Sequence, residues 1–270
     1  MSSRSPRAMP SRNASNDAAP SPHPLIRRLE EYTELSAEAR RALAMLYDKP
    51  PRRIGPRYDL IRRGAAPVHV YLISEGWACR YKTLPAGRRQ IVDFLIPGDL
   101  CDLNIYILSR IDHSIGAITA LDVIEIGRDE LEALTETQPQ ITRALWWQEL
   151  VSMSCNREWI VNVGARSAVE RVAHLLCELF LRLESIGATV GHSCDFPLTQ
   201  RDLADATGLT SVHVNRTLQR LREKQLISLA ERKLTIPNMS ALKSVGQFNP
   251  DYLHLERLRR HVSGDGQQRP

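Results

Sequence analysis

The chain has 270 residues, 43% of them hydrophobic and 25% charged, with a formal charge of +5. This composition excludes wholesale disorder, and no apolar run approaches the roughly 18 residues that a bilayer span requires. The positive balance suits a polyanionic partner, but Arg4, Arg7 and Arg12 near the start contribute to it, so charge alone decides little.

A chain of this length favours two cores and a connector over a single core. Met1 to Pro24 is rich in Ser, Pro, Arg and Asn and has no apolar run of the kind a secretory signal needs, so residues 1–24 are expected to be a disordered tail. The five cysteines, Cys79, Cys101, Cys155, Cys177 and Cys194, are scattered and form no C-x-x-C pair that would grip zinc or an iron–sulfur cluster. A cytoplasmic location fits that usage.

Leu25 to Tyr47 places Leu25, Leu29, Leu35, Leu43 and Leu46 among Arg and Glu, interrupted at Thr33 to Ser36, which predicts two short helices stopped by Pro50 and Pro51. From Ile54 to Ile126 the texture changes to short β-type runs: Val68 to Ile73, Trp77 to Leu84, Gln90 to Ile96 and Ile115 to Ile126. Turn residues at Gly64, Gly76, Pro85 to Gly87 and Pro97 to Asp99 separate them. Such spacing predicts an antiparallel sandwich or barrel, and residues 25–137 are assigned to this domain.

Gln138 to about Val163 reads as one long helix with Ile141, Leu145, Trp146, Leu150, Met153 and Ile160 on a broad apolar surface. A small sheet cannot cover all of it, which points to a dimer stalk, with an ordinary core helix as the alternative. Gln148, Ser152 and Arg157 interrupt every heptad seam that can be drawn. Gly164 to Arg166 is expected to break the helix and make a hinge at Gly164, so that residues 138–166 form the connector. Ser167 then opens the next helix, Ala168 to Leu183, in a capping box with Glu170.

The strongest local pattern lies between Leu198 and Pro237, within a unit assigned to residues 167–243, with 244–270 left as a carboxy-terminal tail. Thr199 caps a short helix, Gln200 to Ala206. Ala204 is small enough for a second helix to cross closely, and Gly208 supplies a turn with positive φ. Thr210 or Ser211 caps the second helix, whose Val214, Leu218 and Leu221 bury one side. This is the packing pattern of a helix-turn-helix.

Ser211, Val212, His213, Asn215, Arg216 and Gln219 then project from the other side. Arg216 suits guanine O6 and N7, Asn215 suits adenine or a phosphate, and Val212 offers only methyl contact. Arg201, Arg220, Arg222 and Lys224 extend the positive side towards phosphates, and Thr199 beside Arg201 is counted among the DNA contacts. Leu226 to Ile236 forms a hairpin, turning near Glu231 to Lys233, whose cationic tip suits the DNA backbone. A helical hairpin with merely solvated charges is the alternative, but it leaves the spacing, the turn glycine and the following hairpin unexplained.

Across roughly Leu25 to Ala241 the chain resembles the Crp/Fnr superfamily. The resemblance is carried by Ser74-Glu75-Gly76, Gly87-Arg88-Arg89-Gln90 with Phe94, Pro97-Gly98-Asp99-Leu100, the stalk, and Leu198-Thr199-Gln200-Arg201-Asp202-Leu203-Ala204 through Leu226-Ile227. It implies an α+β fold: an antiparallel β-roll of the cyclic-nucleotide-binding type, a long dimerisation helix and a winged helix-turn-helix. It also implies a homodimer on a palindromic double-stranded operator, contact with RNA polymerase and no membrane partner. An effector pocket would fall at Pro97, Gly98, Asp99, Leu100, Cys101, Asp102, His113 and Ser114.

Three departures matter. Where nucleotide-binding members carry Gly-Glu-Leu and a phosphate-clamping Arg-Ser, this chain has Cys101-Asp102-Leu103-Asn104 and His113-Ser114, so cyclic AMP is not expected. His113 as a haem or metal ligand is weighed against a solvated loop histidine. The oxygen-sensing branch holds iron and sulfur in an amino-terminal cysteine cluster, and here no cysteine precedes Cys79, so that cofactor is not expected either. Cys101 and Cys155 are read as core thiols, with oxidant sensing as the alternative. Val212 stands where members commonly have a Glu that addresses cytosine and pairs with the arginine matching Arg216, so the operator is expected to differ.

A β-roll module acting on a protein partner without DNA is the remaining alternative function. No G-x-x-x-x-G-K, G-x-S-x-G or H-E-x-x-H run points to catalysis, and the S-x-x-K at Ser240 to Lys243 is short.

Overall fold

The computed structural model describes residues 23–66, 68–103, 107 and 110–255. Two helices come first, α1 (Pro24–Tyr32) and α2 (Ala37–Met45), the second capped by the Ser36 hydroxyl, which accepts from the Ala39 amide. Eight strands follow: β1 (Arg52–Ile54), β2 (Asp59–Ile61), β3 (Val70–Glu75), β4 (Ala78–Thr83), β5 (Arg89–Leu95), β6 (Leu100–Cys101), β7 (Ser114–Ala117) and β8 (Leu121–Ile126). They form two antiparallel four-stranded sheets, ordered β1-β8-β3-β6 and β2-β7-β4-β5. Leu72, Ile73, Ile115, Leu121 and Ile124 are fully or almost fully buried in the core of the roll. The β3–β4 turn requires glycine: Gly76 has φ +88, and a Cβ there would lie 2.2 Å from the Ala120 carbonyl oxygen.

The run Ile115 to Ile126 is therefore two strands and not one. β7 belongs to one sheet and β8 to the other, and the chain crosses between them at 118–120, where the Thr119 hydroxyl accepts from the Trp77 amide.

After α3 (Arg128–Thr137), the 27-residue α4 (Pro139–Ala165) crosses the molecule. The break falls within the expected span of Gly164 to Arg166: the helix continues through Ala165, and Arg166 is the first extended residue, at φ −85 and ψ 147. One glycine costs a helix only about 1 kcal/mol, whereas the capping box of α5 (Ala168–Ser185) demands an extended Ser167, and that sets the interruption. Arg166 is fixed there by Glu158, 2.5 Å away, and its carbonyl accepts from Arg171.

β9 (Thr189–Val190), β10 (Ser193–Asp195), α6 (Gln200–Thr207), α7 (Ser211–Glu223), β11 (Ser228–Ala230), β12 (Lys233–Thr235) and α8 (Met239–Val245) complete the carboxy-terminal unit, with sheet order β11-β12-β10-β9. Residues 244–255 are not a tail. Phe248, Leu253 and Leu255 are buried, and the Tyr252 hydroxyl donates to the buried Glu178 carboxylate at 2.7 Å. Their apolar spacing in Gln247 to Leu255 is too short to register as a periodic element. Residues 256–270 lie outside the described residues, as does the expected tail over 1–22, while Pro24 already belongs to α1.

One apolar core fills the β-roll, and a second joins Trp77, Cys79, Phe94 and Ile96 of the roll to α5, α6 and α7. The carboxy-terminal unit is thus docked against the sensor by shared packing.

Candidate nucleic-acid interface and sensor cavity

The helix-turn-helix is built by local rules. The Thr199 hydroxyl accepts from the Asp202 amide, and Gly208 ends α6 in the left-handed region at φ +68. The Leu209 amide donates to the Ala204 carbonyl across the turn. Thr210, and not Ser211, caps α7 by accepting from the His213 amide. Val214, Leu218 and Leu221 are each at most 2% exposed, and they pack with Leu203 and Ala204 of α6.

That burial leaves Ser211, Val212, His213, Arg216, Gln219 and Arg220 exposed on one face of α7. Among the described residues none of Arg201, Arg216, Arg220, Arg222 or Lys233 is in an ion pair, whereas arginines of the sensor such as Arg28, Arg52, Arg80 and Arg89 are paired with carboxylates. Two residues are already engaged. Asn215 is half-buried, and its side-chain oxygen accepts from Gln200 Nε2 at 3.2 Å, so bidentate contact with adenine requires that bond to open. Thr199 gives both its amide and its hydroxyl proton to Asp202, which makes it a cap with no donor left for a phosphate.

The wing turns on Glu231 and Arg232, both at positive φ, the conformation of a tight two-residue hairpin turn. Lys233 follows, exposed, at the start of β12.

A cavity of about 330 Å³ lies between the roll and α4. Of the eight residues the sequence assigns to an effector pocket, Asp99, Leu100, Asp102 and His113 line it. Pro97, Gly98, Cys101 and Ser114 do not. Gly98 is pressed against Pro24 of α1, Cys101 is buried in the core, and the Ser114 hydroxyl accepts from the Arg63 amide. Sequence reasoning missed Arg28, Arg80, Asp93, Glu149, Arg182 and Leu253, which come from α1, β4, β5, α4, α5 and the short turn Pro250–Leu253 and share no linear spacing.

His113 is not a solvated loop residue. Its ring nitrogens lie 2.8 Å from Asp112 Oδ1 and 3.0 Å from Asp102 Oδ2, and the side chain is 13% exposed. Burial pushes the Asp102 carboxyl up, but the bond to His113 and the Arg80 charge outweigh it and hold the group below the usual range. Lys82 and His113 lower the exposed Asp112 to about 2. Arg80 is already bound by Asp93 and Asp102, each at 3.1 Å. The cavity's arginines, Arg28, Arg80 and Arg182, are each paired with a carboxylate, and Asp93, Asp102 and Glu149 share the lining, so the residues present are a poor fit for a cyclic phosphate.

Cys155 also borders the cavity and is half-buried, unlike the other four cysteines, which are buried. Burial raises the thiols of Cys79, Cys101, Cys155, Cys177 and Cys194, which disfavours the reactive thiolate.

On α4 the heptad seam is cleaner than the sequence suggested. Trp146, Leu150, Met153, Arg157, Ile160 and Gly164 recur at intervals of four and three, and all are exposed. Gln148 is buried inward and Ser152 lines the cavity, so of the three interrupting residues only Arg157 stands in the seam. Gly164 lies at the end of that row, with open space around its Cα. Among the described residues, no helix is long and apolar enough to cross a membrane.

Comparison with known proteins agrees with this architecture. Residues 51–138 match the cyclic nucleotide-binding domain family, and residues 170–245 match the Crp-like helix-turn-helix domain family. The chain is similar to the nitrogen fixation regulation protein FixK of Bradyrhizobium diazoefficiens, 35% identical over 59% of this chain and 66% of that protein. It is also similar to the transcriptional activatory protein AadR of Rhodopseudomonas palustris, 34% identical over 65% of this chain and 72% of that one. The solved structure of FixK2 from Bradyrhizobium japonicum superposes with a TM-score of 0.65 at 25% identity, covering 73% of this chain and 96% of that chain. The sensor roll, the long helix and the winged helix-turn-helix, with relatives of this closeness, place the chain in the Crp/Fnr family of DNA-binding transcription regulators.

Proposed function

We propose that two copies of this chain pair along α4 and read a palindromic operator, each placing α7 in a major groove. The observation that carries this reading is the exposed face of α7, where Arg216 and Arg220 stand without a carboxylate partner, whereas sensor arginines such as Arg80 and Arg89 are paired with carboxylates. Unpaired cations on a helix face attract phosphate, and an arginine fork matches guanine. Arg216 reads the base, Val212 makes apolar contact, and Arg201, Arg220 and Lys233 meet the backbone. The seam from Trp146 to Gly164 exposes Trp146 by 72% and Ile160 by 73%, apolar surface that a second α4 covers.

Control enters at the cavity beside Arg80, through a signal other than a cyclic nucleotide, and the DNA-bound dimer acts on RNA polymerase in the cytoplasm. Gel-shift assays with genomic fragments test the reading. A complex that withstands excess random competitor at low salt and is lost as salt rises supports it. Binding that never discriminates between fragments overturns it.

A further inference from the structure

The first helix of the reading motif is tied to the sensor by more than apolar packing. The Asp202 side chain is fully buried and accepts bonds from both domains. Its Oδ2 takes the Thr199 amide at 3.0 Å and the Thr199 hydroxyl at 2.6 Å, which closes the cap of α6. Its Oδ1 takes Arg57 Nη1 at 3.2 Å and Arg89 Nη2 at 3.0 Å, both from the β-roll. Arg89 Nε donates to Asp205 at 2.9 Å, so the guanidinium fork spans one turn of α6. Gln90 Nε2 reaches the Ala206 carbonyl at 3.3 Å. On the sensor side Arg89 lies 5.3 Å from the centre of the Tyr81 ring, whose hydroxyl donates to Asp59 at 2.7 Å.

We propose that Asp202 is a positioning residue, the polar contact on α6 through which the sensor fixes the orientation of the reading helix for a twofold operator, beside the shared apolar core. This rests on the reading that two chains bind such an operator together. The carboxylate that caps α6 is also the one the sensor grips, so a movement of β5 passes to α6 as a rigid displacement. It then passes to α7 through Leu203, Val214 and Leu218, which share one core.

The docked arrangement suits DNA binding, because Ser211, Val212, His213 and Arg216 stay exposed in it. Burial works against the charge on Asp202, but the Thr199 bonds and the two arginines prevail and hold the group below the usual carboxylate range. A reading unit that loses Arg57 and Arg89 keeps its own fold and its apolar docking, but α6 is held less firmly and part of its orientation has to be set anew at each half-site. That costs entropy only where two half-sites must be met together.

The test compares the full chain with Arg89→Glu, with Asp205→Arg and with the double swap, on a twofold duplex and on a duplex carrying one half-site. Arg89→Glu is expected to weaken binding to the twofold duplex about tenfold or more, while half-site affinity stays within about twofold. Hydrogen exchange is expected to rise in β5 and α6 and to stay low on the buried side of α7. The double swap is expected to re-form the 89–205 pair and to recover part of the affinity, with the carboxylate placed at position 89 still facing Asp202, whereas a merely damaged reading unit allows no recovery. Equal loss on both duplexes, an unchanged Arg89→Glu, or a gain in its operator affinity overturns the proposal. A wild-type chain with no preference for the twofold duplex strikes down the operator reading and the positioning role with it, whatever exchange shows at the docking surface.

Discussion

Arg182 and Asp99 meet across the boundary between the reading unit and the sensor, with Nη2 3.1 Å from Oδ2 and both side chains under a tenth exposed. Asp99 belongs to the Pro-Gly-Asp turn, and its other oxygen accepts from Arg28 at 2.7 Å. Arg182 also donates to the Phe94 carbonyl at 2.8 Å and approaches Asp93 and Glu178. Removing this guanidinium takes a cation from three carboxylates: Asp99 keeps Arg28 and Asp93 keeps Arg80, but the buried Glu178 is left to the neutral donors Trp159 and Tyr252. Arg182→Ala is therefore expected to cost about 3–5 kcal/mol, as broken buried ion pairs do, in urea unfolding followed by circular dichroism. A loss below about 1 kcal/mol contradicts the network.

His174 is 1% exposed, between Phe248 and Tyr252, with Nδ1 facing the Gly246 carbonyl and Nε2 facing the Tyr252 hydroxyl. Burial first, and the Arg166 charge second, lower its pKa from 6.5 to about 4, against the pull of Glu158. The folded chain keeps it neutral while the unfolded chain takes up a proton below about 6.5. Its contribution to stability is full above that pH and is lost as pH falls towards 4, about 3 kcal/mol in all. The buried Glu178, raised by desolvation, pulls the opposite way, since its protonation in acid favours the fold. The check is the difference between the stability–pH curves of wild type and His174→Gln. The wild type is expected to lose more between pH 6.5 and 4, and parallel curves count against a neutral buried His174.

Arg216→Ala is expected to lose about 1–3 kcal/mol on the specific operator and little on random duplex, read by fluorescence anisotropy. Equal loss on both makes Arg216 a phosphate contact and not a base reader.

Val212 is 61% exposed at the amino-terminal end of α7 and has no polar atom for a base edge. Val212→Glu places an acceptor beside Arg216 where the family commonly has one. The expected outcome is a shift in the selected sequence towards cytosine at one position per half-site, measured by selection from a randomised duplex pool. An unchanged consensus means that this position does not face a base.

Ile160→Asp sets a charge in the exposed seam of α4 without entering either core. Analytical ultracentrifugation is expected to find monomer where wild type is dimer, with unchanged helix content and a loss of operator affinity. A variant that stays dimeric moves the interface elsewhere.

The reading motif was legible because each of its parts is local. Thr199 and Thr210 cap, Gly208 turns at positive φ, and Val214, Leu218 and Leu221 keep helical spacing, so adjacent residues determine one another. The cavity was legible only in part, because Arg28, Arg80 and Arg182 converge on it from α1, β4 and α5 and nothing in linear spacing announces that meeting. The same limit hid the docking of Arg89 on Asp202, which are 113 residues apart. The end of α4 was legible within two residues of Gly164, because the Ser167 capping box, readable in sequence, fixes the boundary where a lone glycine only lowers helix propensity.

Selection of binding sites from a randomised duplex pool, followed by footprinting of the winner with the full chain, tests the central claim most directly. The expected result is an inverted repeat whose two half-sites lie about one helical turn apart, both protected on one face of the duplex. Enrichment of no sequence, or of a single unrepeated site that one chain covers alone, contradicts a paired reading of DNA by α7.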